Sequence, residues 1–143
     1  MSETVTGTAA SGSKANEVRV RVARRFELSC GHHIPNHPGK CRTPHGHNYI
    51  VEVVVEGPLN GMGMVADFAD VKDVFLVAVG KYDHKNLNDF FFTPTAEVLA
   101  VQWLQALRDV VDQSVQSKAL NADWTVIGVR VWETSDCYAE ALA

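Results

Sequence analysis

Two histidines separated by a single residue, His45 and His47, are the sharpest chemical signal in the sequence. In an extended backbone, residues two apart project from the same face, so these imidazoles could bind one cation. His32, which lies just past a predicted strand, could supply a third ligand. Three neutral imidazoles suit zinc, and three protein ligands leave a coordination position for water or substrate. These residues predict a zinc site with an open position.

Two alternatives to the open site are compatible with the sequence. The histidine pair could be an ordinary polar feature of a strand edge. A closed structural zinc site could also form, with Cys30, Cys41, His45 and His47 as its four ligands. The open site would leave the Cys41 thiol free, and a thiol beside a metal ion or an imidazolium is readily deprotonated to a base or nucleophile.

Three further residues could carry acid–base or binding chemistry. Asp83 precedes His84, and a carboxylate beside an imidazole can orient the ring and stabilise its protonated form. An Asp-His dipeptide is more often an ordinary pair of polar residues in a solvent-exposed loop. Glu133 ends a predicted strand on the same face as Val129 and Val131. Its carboxylate therefore either reaches water at the rim or accepts hydrogen bonds inside a pocket.

Alternating apolar residues predict the strands that must position these side chains. The first strand runs over 18–28, and Arg24 breaks its alternation, which predicts a bulge there. An irregular loop with three prolines and three glycines follows, over about 31–46. The further strand predictions are 47–56, 124–133 and a short fourth strand at 136–142.

Two amphipathic helices are predicted between the second and third strands. Asp67 is the expected N-cap of the first helix, and Pro94 is expected at the first helical position of the second. The apolar stripe of the first helix comprises Phe68, Val71, Phe75 and Ala78. The order ββααβ(β) predicts an α+β fold, an antiparallel sheet with both helices on one face. A sheet of so few strands has exposed edges that invite association with other subunits.

The composition narrows the class of protein. The chain has 143 residues, 46% of them hydrophobic, which fits a single domain over 18–143 after a mobile tail at 1–17. Its net charge of −4 argues against nucleic-acid binding through phosphate neutralisation. No apolar run approaches the roughly 20 residues that span a bilayer, so we expect no membrane partner. Three cysteines are a poor disulfide framework and suit a reducing cytoplasm.

The chain resembles the 6-pyruvoyltetrahydropterin synthase / 6-carboxytetrahydropterin synthase family through four motifs in the same order. The motifs are FELSCGHHIP, CRTPHGHNY, YDHKNLND and VWET. Matched position by position, His32, His45 and His47 correspond to the zinc ligands of the family. Cys41 corresponds to the catalytic cysteine, which acts as the base that removes protons from the substrate side chain.

The same resemblance implies the remaining site residues and the assembly. Asp83 and His84 match the acid–base partners of the cysteine, Glu133 matches the glutamate that anchors the pterin, and Thr95 matches a position near the pterin. The family adopts the tunnelling fold (T-fold), in which subunit sheets join into a barrel within a trimer and two trimers stack into a hexamer. The active sites would lie between subunits, with zinc and cysteine from one chain and the pterin anchor from its neighbour.

The spacing between Cys41 and His45, three intervening residues, resembles the 6-carboxytetrahydropterin branch of queuosine and deazapurine biosynthesis. The implied activity is a zinc-dependent lyase that converts 7,8-dihydroneopterin triphosphate to 6-carboxy-5,6,7,8-tetrahydropterin, with release of acetaldehyde and triphosphate. The first alternative is 6-pyruvoyltetrahydropterin synthase, which eliminates triphosphate and keeps the three-carbon side chain. The others are a zinc-dependent hydrolase and a non-catalytic module that binds zinc and pterin.

Overall fold

One antiparallel sheet and two helices make up the computed structural model, which describes residues 18–143. The strands pair in the order β1-β2-β3-β4. The predicted α+β fold is confirmed, including the fourth strand, whereas the predicted mobile tail at 1–17 lies outside the described residues. The elements in chain order are β1 (Val20–His32), β2 (His45–Gly57), α1 (Phe68–Ala78), α2 (Ala96–Gln116), β3 (Thr125–Thr134) and β4 (Cys137–Leu142).

The pairing of β1 with β2 runs without interruption up to His32, which lies opposite His45. Strand β1 therefore continues past its predicted end at Leu28. The apolar pattern did not reveal this extension, because residues 29–32 are Ser, Cys, Gly and His. The end of the β1–β2 ladder consequently carries the histidines that the sequence predicted as metal ligands.

Arg24 does not interrupt β1, so the bulge predicted there is wrong. Its guanidinium lies 5.1 Å from the centre of the Phe26 ring. Its Nη1 atom donates a hydrogen bond of 2.9 Å to the carbonyl of Phe68. The aliphatic stem thus packs inward while the charged end is bonded at the rim, which lets an arginine occupy an apolar position.

A bulge occurs instead between β2 and β3. Val54 lies opposite Gly128 but Val55 lies opposite Val126, so Ile127 is an extra residue in β3. Val126 consequently turns into the core, where it is fully buried, and Ile127 is only partly buried. The bulge changes the alternation of β3 before the strand reaches the candidate site.

Both helices pack on the face of the sheet that carries Tyr49 and the alternate valines of β2. Phe26 of β1 stacks on Phe75 of α1 with ring centres 4.0 Å apart. Trp103 of α2 is completely buried in the same core. Neither helix within residues 18–143 combines the length and hydropathy needed to cross a bilayer.

The two helices begin differently. Asp67 caps α1 as predicted, its carboxylate accepting from a backbone N–H of the first turn. Phe68, however, is 46% exposed and leaves the predicted stripe, since it opens the helix at the margin of the sheet. Thr95 is the N-cap of α2, so the prediction of Pro94 at the first helical position is wrong. Pro94 precedes the cap, and its carbonyl is available to a partner outside the helix.

The other face of the sheet carries an ionic ladder across all four strands. Glu52 of β2, 8% exposed, lies between Arg25 of β1 at 3.1 Å and Arg130 of β3 at 3.8 Å. Arg130 also pairs with Glu140 of β4 at 3.1 Å. Apart from one bridge at the end of β1, the outer edges of β1 and β4 have no strand partner in the described part of the chain.

Candidate metal centre and active site

Three histidines converge at the end of the β1–β2 ladder. His32 lies opposite His45 in the register, and His47 follows on the same face of β2. One ring nitrogen of each lies within 4.8 Å of the others. His32 is buried and the other two are partly exposed. The structure therefore brings together the three side chains that the sequence singled out as metal ligands.

Hydrogen bonds set the orientation of two of these rings. Nδ1 of His32 lies 2.8 Å from the carbonyl oxygen of Pro94, and Nδ1 of His45 lies 2.8 Å from that of Thr43. A carbonyl can only accept, so each Nδ1 carries the hydrogen and each Nε2 presents a lone pair. The two Nε2 atoms lie 2.9 Å apart. Facing lone pairs repel unless they share a cation, so this cluster fits a metal ion.

Burial favours the neutral imidazoles that a metal requires. Desolvation lowers the pKa of His32, against the opposing effects of the Pro94 carbonyl and the Glu133 carboxylate. Desolvation also lowers the pKa of His47. Within residues 18–143 no fourth His, Cys, Asp or Glu joins this cluster. The arrangement is therefore an open three-histidine site of the kind that zinc occupies in enzymes.

Neither cysteine of the closed alternative belongs to the histidine cluster of the described chain. The buried Cys30 thiol donates to the carbonyl of Tyr82 at 3.2 Å. Burial, with a smaller effect of the Asp83 carboxylate, raises the pKa of Cys30 to about 11. Cys41 is a free, partly exposed thiol on the loop between β1 and β2. The geometry therefore contradicts the closed four-ligand site.

A cavity of about 660 Å³ opens beside the cluster. The three histidines line it together with Cys41, Thr95 and Glu133. This volume lies within the range of small-molecule sites. One cavity of a single chain thus contains the three candidate metal ligands, the candidate catalytic cysteine and both residues predicted to bind substrate.

Three other ionisable residues of the cavity wall were not predicted from the sequence: His37, Lys40 and Glu97. Lys40 directly precedes Cys41, and Glu97 lies in the first turn of α2 just after Thr95. Their positions next to two predicted site residues were the signal that could have identified them. His37 was visible as part of the histidine-rich loop, but nothing in its spacing indicated that it faces the same space.

A second bulge positions Glu133. The β3–β4 register shifts between Trp132 and Thr134, and Glu133 is the residue between them. Bulges of this kind redirect a side chain, and the carboxylate lies 3.8 Å from Nε2 of His32. The structure therefore supports the pocket interpretation of Glu133. It also places Glu133 beside the histidines of its own chain, contrary to the expectation that a neighbouring chain supplies it.

Asp83 and His84 lie elsewhere, at the edge of β1. One Asp83 oxygen accepts from the Ser29 N–H at 2.9 Å, and the other lies 3.1 Å from Nδ1 of His84. The Ser29 hydrogen bond holds the pKa of Asp83 below its usual range. His84 has a φ of 63°, a left-handed conformation that is uncommon for a non-glycine residue and occurs at functional sites.

The pair does not share the cavity of Cys41. His84 lines a separate, open hollow of about 540 Å³ together with residues from the ends of β1 and β2. Its side chain is 79% exposed and that of Asp83 is 42% exposed. Within one chain, the structure therefore does not bring this pair to the catalytic cysteine candidate.

Thr95 has a structural task at the cavity wall. Its hydroxyl accepts from the Val98 N–H at 3.1 Å and caps α2. The preceding carbonyl, that of Pro94, is the one that bonds His32. This hydrogen bond links the start of α2 to His32 of the histidine cluster. The hydroxyl proton of Thr95 is still available to a ligand, because the cap uses only a lone pair.

One known family matches the chain along nearly all of its described length. A sequence model described as 6-pyruvoyl tetrahydropterin synthase matches residues 21–143. The chain belongs to this family. The resemblance carried by the four motifs is thereby confirmed for the 6-pyruvoyl tetrahydropterin synthase family as a whole.

Two relatives of the chain carry different names. A protein of Archaeoglobus fulgidus, named provisionally as a 6-carboxy-5,6,7,8-tetrahydropterin synthase, is 38% identical over 124 residues, or 87% of this chain and 95% of the relative. The dihydroneopterin monophosphate aldolase of Pyrococcus furiosus is 38% identical over 77 residues, or 54% of this chain and 67% of the relative. The former name favours the carboxy branch of the family.

A solved structure of the same synthase family shows the fold. The 6-pyruvoyl tetrahydropterin synthase of Caenorhabditis elegans superposes with a TM-score of 0.74 at 23% identity, covering 89% of this chain and 97% of that structure. The four-stranded antiparallel sheet and its two helices are those of the T-fold, as the family resemblance implied.

Proposed function

We propose that this family member is a zinc-dependent lyase that converts 7,8-dihydroneopterin triphosphate to 6-carboxy-5,6,7,8-tetrahydropterin, with release of acetaldehyde and triphosphate. One observation carries the proposal: a single cavity combines the three-histidine cluster, the Cys41 thiol and the Glu133 carboxylate. The Archaeoglobus relative, which is named for this product, supports it over most of both chains. A product of this kind belongs to queuosine and deazapurine biosynthesis.

Substrate binding begins at Glu133. The pterin ring has a guanidine-like edge of N–H donors, and a carboxylate accepts two parallel hydrogen bonds from such an edge. A ring bound there stays in the cavity that contains the histidines and Cys41. The Thr95 hydroxyl, which already accepts from Val98, can donate to a ring atom from the same wall.

Proton removal is the task of Cys41. A zinc ion held by His32, His45 and His47 would supply Lewis acidity to the side-chain hydroxyl groups of the substrate. The Cys41 thiolate takes a proton from the same side chain, as a general base on the cavity wall. Lys40, which directly precedes Cys41, offers its ammonium group to the phosphates that leave.

The acid–base pair acts from a neighbouring copy of the chain. His84 lines a different hollow from Cys41, and Asp83 lies beside His84, so the pair reaches the same substrate only where two copies meet. The free edges of β1 and β4 provide surfaces for joining such copies. We therefore propose a homo-oligomer, a hexamer of two trimers, with active sites between subunits. His84 relays protons there while Asp83 orients its ring.

The proposed partner is a small pterin triphosphate, without nucleic acid or membrane. The net charge of −4 provides no domain-wide positive field for a phosphate backbone. All three cysteines are free, which suits a reducing compartment, so we propose a cytoplasmic location.

A second activity, aldol cleavage of dihydroneopterin monophosphate, is favoured by one relative and one property of the cavity. The Pyrococcus aldolase matches 54% of this chain. Among described residues of the cavity wall, Lys40 is the only Lys or Arg, and the same wall carries two carboxylates, Glu97 and Glu133. That balance suits one phosphate better than three, because phosphate recognition relies on cationic donors.

Product analysis by mass spectrometry tests both activities. Zinc-loaded protein is incubated in parallel with 7,8-dihydroneopterin triphosphate and with the monophosphate, and Cys41→Ala protein is the matched control. Carboxytetrahydropterin and acetaldehyde from the triphosphate support the proposal. A pyruvoyl product assigns the protein to the elimination branch instead. A hydroxymethyl pterin and glycolaldehyde phosphate from the monophosphate support the aldolase, whereas tight pterin binding without any product indicates a binding module.

A further inference from the structure

Tyr49 places a hydroxyl group in the core directly behind the histidine cluster. The residue has 0% exposure, and its Oη atom lies 3.1 Å from Nδ1 of His32. A tyrosine buried to this degree requires a partner for its hydroxyl. Within the described residues, His32 is the hydrogen-bond partner of this hydroxyl.

The Tyr49 ring packs against the rings of two candidate metal ligands, His32 and His47. Its centre lies 5.9 Å from that of the His32 ring and 5.3 Å from that of the His47 ring, both edge-to-face. This packing follows from the strand, because His47 and Tyr49 lie two residues apart on one face of β2.

The Nδ1 atom of His32 has two oxygen neighbours. The Pro94 carbonyl lies at 2.8 Å and the Tyr49 hydroxyl at 3.1 Å. Since the carbonyl only accepts, the hydrogen is on Nδ1, and the Tyr49 oxygen is a second acceptor for it. Nε2 of His32 is then the atom with a free lone pair, and it points toward the cluster.

We propose that Tyr49 and the Pro94 carbonyl form an outer shell that fixes the tautomer and orientation of His32 for metal binding, an inference that rests on the metal centre of the proposed function. Tyr49 is a positioning residue, since it acts through His32. Outer-shell partners of this kind change metal affinity about 10- to 100-fold when they are removed. A tyrosine that merely fills the core would change stability and leave metal affinity as it was.

The test compares Tyr49→Phe with the matched control Tyr82→Phe, a partly buried tyrosine outside the histidine cluster. The dissociation constant for Zn²⁺ is measured by chelator competition on the full chain, together with thermal unfolding of the metal-free protein. We expect Zn²⁺ binding to weaken about tenfold or more in Tyr49→Phe and to stay unchanged in Tyr82→Phe. We also expect the visible spectrum of bound Co²⁺ to change only in Tyr49→Phe.

Wild-type Zn²⁺ affinity in a folded Tyr49→Phe protein would overturn the inference while leaving the metal centre intact. A wild-type chain that does not bind Zn²⁺ would overturn the metal centre of the proposed function as well. If Tyr49→Phe does not fold, long-range ¹H–¹⁵N spectra of the metal-free wild type decide the question. A neutral His32 ring with its hydrogen on Nδ1 supports the inference, and a hydrogen on Nε2 contradicts it.

Discussion

The Nε2 atoms of His32 and His45 lie 2.9 Å apart, while the Nδ1 atom of each ring is bonded to a backbone carbonyl. This relationship means that the fold orients two lone pairs toward one point. A strand register sets the relationship, since His32 pairs directly with His45. The fold therefore pre-organises a cluster that could hold a metal ion.

Removal of one ligand should abolish tight metal binding. We expect His45→Ala to weaken Zn²⁺ binding by more than about 100-fold, which exceeds the usual effect of an outer-shell residue. His37→Ala is the matched control, because His37 lines the same cavity but is outside the cluster. Chelator competition measures both constants. Equal weakening in the two variants would show that the loop histidine also binds the metal.

Loss of the Cys41 thiol should separate metal binding from turnover. We expect Cys41→Ala to retain stoichiometric zinc and to lose activity by about 10²- to 10⁴-fold, the usual contribution of a general base. Cys137→Ala, a change at an exposed thiol, should retain both. Metal content by atomic absorption and product formation are measured on the same samples. Zinc loss in Cys41→Ala would contradict the three-histidine assignment.

Activity should be restored when two inactive variants share one assembly. Cys41→Ala and His84→Ala chains, each inactive alone, are co-expressed and assembled together. If one subunit supplies the cysteine and its neighbour the histidine, random assembly leaves about one quarter of the sites intact. Co-expression of two differently tagged Cys41→Ala chains is the control. Activity that stays at the control level would show that each site uses residues of one chain.

Alkylation should distinguish the buried thiol from the others. Because burial raises the pKa of Cys30 from 9.0 to about 11, its reactive thiolate forms only as the pH rises through that range. With iodoacetamide at neutral to mildly alkaline pH, we expect Cys41 to react while Cys30 is spared until the protein is unfolded. Peptide mass spectrometry reads out each position. Rapid labelling of Cys30 in the folded protein would mean that this part of the core opens.

The N-cap of α2 should contribute to stability. Replacing Thr95 by Val removes the hydroxyl that accepts from Val98, at an expected cost of about 1 kcal/mol in the free energy of unfolding. Thr95→Ser keeps the hydroxyl and should change stability little. Urea unfolding compares the two variants. Thr93→Val is a control for a nearby threonine without a capping role, and a similar loss there would argue against the cap.

Much of the fold could be predicted because hydrophobic periodicity is local information. The alternation of Val51, Val53 and Val55 identified β2, and the stripe around Phe75 identified α1. The errors arose where tertiary contacts override the pattern. Arg24 occupies an inward position because the Phe68 carbonyl and the Phe26 ring accommodate its head group.

The candidate site was likewise predictable only in part from the sequence. Residue types and spacing singled out His32, His45 and His47 as candidate metal ligands, and the family resemblance assigned Cys41 as the catalytic cysteine. Only the tertiary structure could place Glu133 beside His32 of its own chain, because a bulge in β3 redirects the side chain. It also separated His84 from the cysteine, since the edge of β1 holds that loop away from the cavity. Distances between residues far apart in the chain depend on strand register and bulges, and these are decided by packing across the whole sheet.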